Sequence, residues 1–259
     1  MRTVLLCSET SVFNRRVLPA FLASFSDLVG IVAISDARGT GWRRLRYEWR
    51  RSRWRLLDVF AFRVFYRLRG ARADREWIRR RAEVELARLP AAVDAPVHET
   101  DDPNSAETRA FIESLQPDVA LAACKTMLKR EIFDVPGHGT FVVHPGICPE
   151  YRNSHGCFWA LSRRDLGRVG ATLLRIDEGA DTGPVYAHYH ADIDERSESH
   201  VVIQTRVVYD NLDQIRRDLE AIFDGRLEPI DVSGRTSAAW GQPRLSDYWR
   251  WKRAARAAA

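Results

Sequence analysis

Two rhythms of apolar residues run along this chain, and they predict different elements. Thr3–Cys7 and Leu28–Ile34 are short continuous apolar runs, the pattern of strands buried on both faces. Between them Val17, Leu18, Phe21 and Leu22 fall on one face of a helix within Phe13 to Phe25. Strand, helix, strand is a βαβ unit and argues for a parallel sheet. Further runs at Ala95–His98, Val119–Cys124, Thr140–Val143 and Ala171–Ile176 predict four more strands. Asn104 or Ser105 can cap a helix through Leu115, with Glu107 in its first turn. A loop and one short helix fit Lys125–Asp134, and Ser197–Phe223 reads as one long helix stopped by Gly225. The remainder, Arg226–Ala259, is polar and aromatic and predicts a short strand or two and a basic tail. The fold class expected is α/β, a mostly parallel, twisted, Rossmann-like sheet with flanking helices.

Residues 38–90 break this rhythm. The run WRRLRYEWRRSRWRLLDVFAFRVFYRLRGARADREWIRRRAEVELARL is arginine-rich, with Trp, Tyr, Phe and Leu interleaved at helical spacing. It predicts a helical insertion, two helices broken near Gly70. The insertion could serve as an anion-binding arm, a peripheral membrane-surface helix or a partner-docking pair. An amphipathic cover for the sheet with its arginines in water accounts for it equally well.

Charge and cysteine content sharpen this only partly. The 259 residues carry a net charge of +5 and a pI near 9.2, with arginine far outnumbering lysine. Guanidinium forks suit phosphates and carboxylates. Cys7, Cys124, Cys148 and Cys157 are scattered too widely for a disulfide framework. The first residues, MRTVLLCSET, hold too short an apolar run for a signal peptide. No apolar stretch approaches bilayer length, and a cytoplasmic location is expected.

Candidate chemistry concentrates between Gly139 and His190. The run Thr140–Val143 delivers His144, and Ala171–Ile176 delivers Asp177, Glu178 and Asp181. Side chains just beyond strand ends are where open α/β sheets build sites. His144, Cys148, His155 and Cys157 are all metal-ligand types, but H-x3-C-x6-H-x-C matches no standard zinc arrangement. Free thiols and no metal are expected. His188 and His190 alternate on the following strand and read as sheet-face residues.

HPGICPEYR, followed by GATLLRIDEGADTGPV, resembles the folate-dependent formyltransferase family, which includes methionyl-tRNA, glycinamide ribonucleotide and sugar N-formyltransferases. The likeness covers roughly residues 95–195 and does not extend to the arginine-rich insertion. It implies a formyltransferase-like catalytic domain over 1–195, with the insertion inside it. A C-terminal long helix and short appendage would occupy 196–259.

The resemblance also implies a cosubstrate, 10-formyltetrahydrofolate, and transfer of its formyl group to a primary amine. By position it assigns catalysis to His144 and Asp181. It places the pterin against two loops, through Ala123, Cys124, Lys125, Met127 and Leu128, and through Asp177, Glu178, Gly179 and Thr182. The family's catalytic Asn, two residues before the His, is Val142 here. Transfer to an amine passes through a tetrahedral oxyanion and needs a donor for that oxygen and a base for the amine proton. Valine cannot donate, so Asn153 and His155 are the candidate replacements.

No tRNA-binding barrel fits the roughly sixty residues after the central stretch, so no nucleic-acid partner is expected. The acceptor expected is a small-molecule amine, an amino-sugar nucleotide or a natural-product amine, with arginines suited to a phosphorylated one. A homodimer is compatible with this reading. The alternatives are a formyltetrahydrofolate hydrolase and a catalytically impaired binding protein.

Overall fold

The structure, a computed structural model, describes residues 1–9, 11–35, 53–90 and 93–257. Residues 38–52 of the expected insertion lie outside them.

Seven strands form one sheet in the order β3-β2-β1-β4-β5-β7-β8. They are β1 (Arg2–Ser8), β2 (Asp27–Ile34), β3 (Val97–Thr100), β4 (Val119–Ala123), β5 (Thr140–His144), β7 (Ala171–Arg175) and β8 (Val185–Tyr189). The first five in space pair in parallel. β5–β7 and β7–β8 are antiparallel, so the sheet is mixed and mostly parallel. Strand order reverses between β1 and β4, where doubly wound sheets open a crevice beyond their carboxyl ends.

Alternation along the strands splits the core in two. Leu5 and Leu121 face a layer that includes α1 (Leu18–Ala23), α7 (His200–Asp210) and α8 (Leu212–Phe223). Val4, Leu6, Ala120 and Ala122 face α4 (Ala106–Leu115) and α5 (Arg130–Phe133). Ser105 caps α4, its Oγ accepting from Thr108 N, as the sequence suggested. The expected single helix over Ser197–Phe223 is two helices. Asn211 breaks it, donating from its amide to the carbonyls of His190 and Val207, both at 2.8 Å.

The described part of the insertion is α2 (Arg53–Arg69) and α3 (Ala71–Leu86), broken at Gly70 as expected. Leu56, Val59 and Phe62 of α2 are buried. Phe62 packs on Phe158, of α6 (Gly156–Ser162), and on His200 and Tyr248. The expected basic tail is instead α9 (Leu245–Ala257). Its Trp251 is fully buried and donates through Nε1 to Glu195 Oε2 at 3.0 Å. Before it, β9 (Ala239–Trp240) pairs in parallel with β6 (Arg152–Asn153), in the loop that comes after His144.

Candidate active site

His144 ends β5, opposite Thr172 of β7, and the loop after it folds back beneath the ring. Gly146 makes that possible. A Cβ there would lie 2.4 Å from Tyr151 O and 2.8 Å from His144 Nε2. Gly156 is packed as tightly, since its Cβ would lie 2.4 Å from Gly146 Cα. Thr172 Oγ1 fixes the turn by donating to Gly146 O at 2.7 Å and accepting from Cys148 N at 2.9 Å. The folded loop brings Tyr151 O to 2.9 Å from His144 Nε2.

The other ring nitrogen, Nδ1, lies 3.3 Å from Asp181 Oδ2. The imidazole is thus set between two oxygen atoms, one backbone and one carboxylate. Asp181 Oδ2 also accepts from the backbone N–H of Asn153 at 2.7 Å. Asp181 Oδ1 has no hydrogen-bond partner among the described residues.

Asn153, His155 and Asp181 all have positive φ, at 75°, 58° and 53°. Asn, Asp and His tolerate this region better than most residues, and such conformations gather at functional sites. Here they turn two loops toward each other. Asn153 spends one side-chain N–H on Trp240 O at 2.7 Å. His155 is bonded to the Gln242 side chain, and burial, with Arg63 adding repulsion, lowers its pKa to about 4.

These groups border one cavity of about 880 Å³. Its walls include Val142, His144, Asn153, His155 and Asp181, and also Ser8 and Asn14 at the β1–β4 switch. Asn14 spans that switch, donating to Ser8 O at 3.0 Å and Ala123 O at 2.9 Å. Arg63 and Ile78 bring the insertion into the same wall.

Ala123, Cys124, Lys125, Met127, Leu128, Asp177 and Gly179 all line this cavity. Glu178 and Thr182 are not among the lining residues. Glu178 turns outward to Arg130, 3.0 Å away. Thr182 Oγ1 donates to Asp177 Oδ1 at 2.7 Å, which also accepts from Gly179 N at 2.9 Å. Asp177 is therefore committed to holding its own loop, and Gly179 is needed there because a Cβ would meet Thr182 Oγ1 at 1.9 Å.

Cys148 and Cys157 are buried thiols, each with its pKa pushed up to about 12 by burial. Among the described residues no three His, Cys, Asp or Glu side chains are placed to hold a metal ion. Tyr151, Asn14, Gln242 and Trp240 were missed from sequence. Only Tyr151 left a signal, as a member of the HPGICPEYR motif.

A histidine–carboxylate pair in the wall of a switch-point crevice marks a candidate site on a Rossmann-like, mostly parallel α/β sheet. The sequence profile described as Formyl transferase matches residues 81–214, and the chain belongs to that family. It is 31% identical over 187 residues to a methionyl-tRNA formyltransferase of Sorangium cellulosum, covering 67% of this chain and 57% of that protein. A Thermus thermophilus methionyl-tRNA formyltransferase is 38% identical over 88 residues, 32% of this chain and 28% of that one. The matches thus span between about a quarter and somewhat over half of these relatives.

The fold aligns with a phosphoribosylglycinamide formyltransferase from Anaplasma phagocytophilum at a TM-score of 0.57 and 12% identity, covering 94% of this chain and 99% of that one. It aligns with a sugar N-formyltransferase from Shewanella sp FDAARGOS_354 at 0.56 and 14%, covering 95% and 78%.

Proposed function

We propose that this protein transfers a formyl group from 10-formyltetrahydrofolate to the amine of a small acceptor that carries an anionic group. The observation that carries the reading is the His144–Asp181 pair, 3.3 Å apart, in the wall of a cavity of about 880 Å³. That volume suits a drug-sized ligand.

The residues present fit a folate. Val142, Leu174 and Ile176 give the cavity apolar wall, and residues of the loops through Ala123–Leu128 and Asp177–Asp181 line it as well. The folate would supply an activated formyl carbon. Asp181 Oδ1 would take the proton leaving the amine, directly or through water. The His144 ring beside it, when protonated, would favour negative charge developing on the formyl oxygen. Both ring nitrogens of His144 already face acceptors, so a direct hydrogen bond to that oxygen needs another donor. Asn153, with its second side-chain N–H, and neutral His155 are the groups we assign to that role. Arg63 lines the cavity with no carboxylate at ion-pairing distance among the described residues, which supports an anionic acceptor.

The test is incubation with 10-formyltetrahydrofolate, with and without amino-sugar nucleotides, read by tetrahydrofolate release and product mass. Release that requires the amine is expected. His144→Ala and Asp181→Asn should each lower kcat by about 10²- to 10⁴-fold. Equal release without any amine would make the protein a hydrolase, and folate binding without turnover would make it a binding protein.

A further inference from the structure

Helix α2 has two apolar faces. One is buried against the body of the protein through Leu56, Val59 and Phe62. On the opposite face Leu57, Phe60, Val64 and Leu68 are 62%, 65%, 41% and 77% exposed. At about 100° per residue these four fall within a band of roughly 80°. On one flank of that band stand Arg63 and Arg67, both exposed. On the other, Phe65 packs on Trp249 at 5.4 Å, and Trp249 is itself partly exposed.

The charge around this band is of one sign. Arg69 at the end of α2, and Arg72 and Arg75 beyond it, continue the exposed arginines. Among the described residues no carboxylate lies within ion-pairing distance of Arg63, Arg67, Arg69, Arg72 or Arg75. The one acid of α2, Asp58, turns to α9, where it accepts from Ser246 N and Oγ.

We infer that α2 lies on the surface of an anionic lipid bilayer, with Leu57, Phe60, Val64 and Leu68 inserted at the headgroup boundary and the arginines among the headgroups. A basic helix with one outward apolar stripe is suited to lie in the interfacial plane. Among the described residues no helix is long and apolar enough to cross a membrane, so the contact is peripheral. A second copy of the chain fits less well. Two-fold packing of stripe on stripe would bring like-charged arginine flanks together. Four side chains also fall far short of the roughly 20–30 residues a side of a stable interface. Because Arg63 belongs both to this flank and to the cavity wall, docking sets the cavity near the lipid surface.

The test is sedimentation of the full chain with phosphatidylcholine vesicles and with vesicles containing phosphatidylglycerol. Binding to the anionic vesicles, weakened by salt, is expected, with at least about tenfold weaker binding to the neutral ones. The triple variant Leu57→Glu, Phe60→Glu, Leu68→Glu should abolish it. Arg67→Ala with Arg69→Ala should weaken it about tenfold. Circular dichroism should show both variants as helical as the parent, since every substituted residue is exposed.

Equal binding to both vesicle types, or binding that survives the triple variant, overturns the inference. So does a dimer in sedimentation velocity that the triple variant dissociates, which would make the stripe a contact between copies. Absence of vesicle binding, together with a lower melting temperature in the triple variant, would mean that the stripe is covered within the chain, and the inference falls. None of these readouts depends on formyl transfer.

Discussion

Val142 lies two residues before His144 on the same face of β5, at the position where the resemblance read from the sequence puts an Asn. Val142 packs beside Cys148, Leu174 and Val185 and borders the cavity. If Asn153 carries the oxyanion load instead, the two positions should compensate. Asn153→Gly keeps the backbone N–H that Asp181 uses and tolerates the positive φ, so it removes the side-chain amide and little else. It should lower kcat by about 100-fold. Adding Val142→Asn to that variant should restore at least about tenfold, measured by steady-state turnover. No recovery in the double variant, with a normal kcat in Asn153→Gly, would move the role to His155. The sequence motifs point to His144, at the end of β5, and to Asp181, in the loop between β7 and β8, because both lie inside contiguous signatures. They could not reveal that Tyr151 O occupies the second ring nitrogen. That contact depends on how closely Gly146 and Gly156 approach.

Elements legible in the sequence were those whose burial shows as a continuous run or a clean periodicity. β1, β2, β4, β5 and β7 appeared within a residue or two of their ends, and α2 and α3 were separable at Gly70. Helix α9 was not legible. SDYWRWKRAARA carries few aliphatic residues, and much of what it buries is polar or aromatic: Asp247, Trp251 and Lys252, along with Ala255. Lys252 Nζ donates to the backbone carbonyls of Glu195 and Glu198, a contact that charge patterning would assign to solvent. The segment before α9 also supports the site. Arg235 grips Glu150 through two bonds of 2.9 and 2.7 Å, and β9 pairs with the Asn153 strand. Trp251→Ala should therefore cost about 3–5 kcal/mol, the range for emptying a large buried site, read as a shift in urea midpoint. A loss under about 1 kcal/mol would mean that α9 is an ornament on the fold rather than part of its core.

Across the whole molecule, α2, α6, α7 and α9 meet around His200, whose ring packs against Phe62, Tyr66 and Phe158. Burial, then His155 and Lys252, lower its pKa to about 3, and His155 beside it is lowered to about 4. Both values lie below the ordinary 6.5 of an unfolded histidine. Above about pH 6.5 neither state carries these protons, and the stability linked to them is fully present. As pH falls from about 6.5 toward 4 the unfolded chain binds them first, and unfolding is favoured by up to about 1.4 kcal/mol per pH unit for each ring. Carboxylates with ordinary affinities contribute little above about pH 5, so the window from there to about pH 6.5 reports the buried histidines, His188 among them, since burial lowers its pKa as well. His200→Phe keeps an aromatic ring among aromatic rings and removes one of these protons. Its denaturation midpoint should decline less steeply than the parent's across that window, by the share of one ring among His155, His188 and His200. Parallel slopes in the two proteins would mean that His200 takes up its proton in the folded state as readily as in the unfolded one. In that case the aromatic junction where the insertion meets the C-terminal helix is open to water.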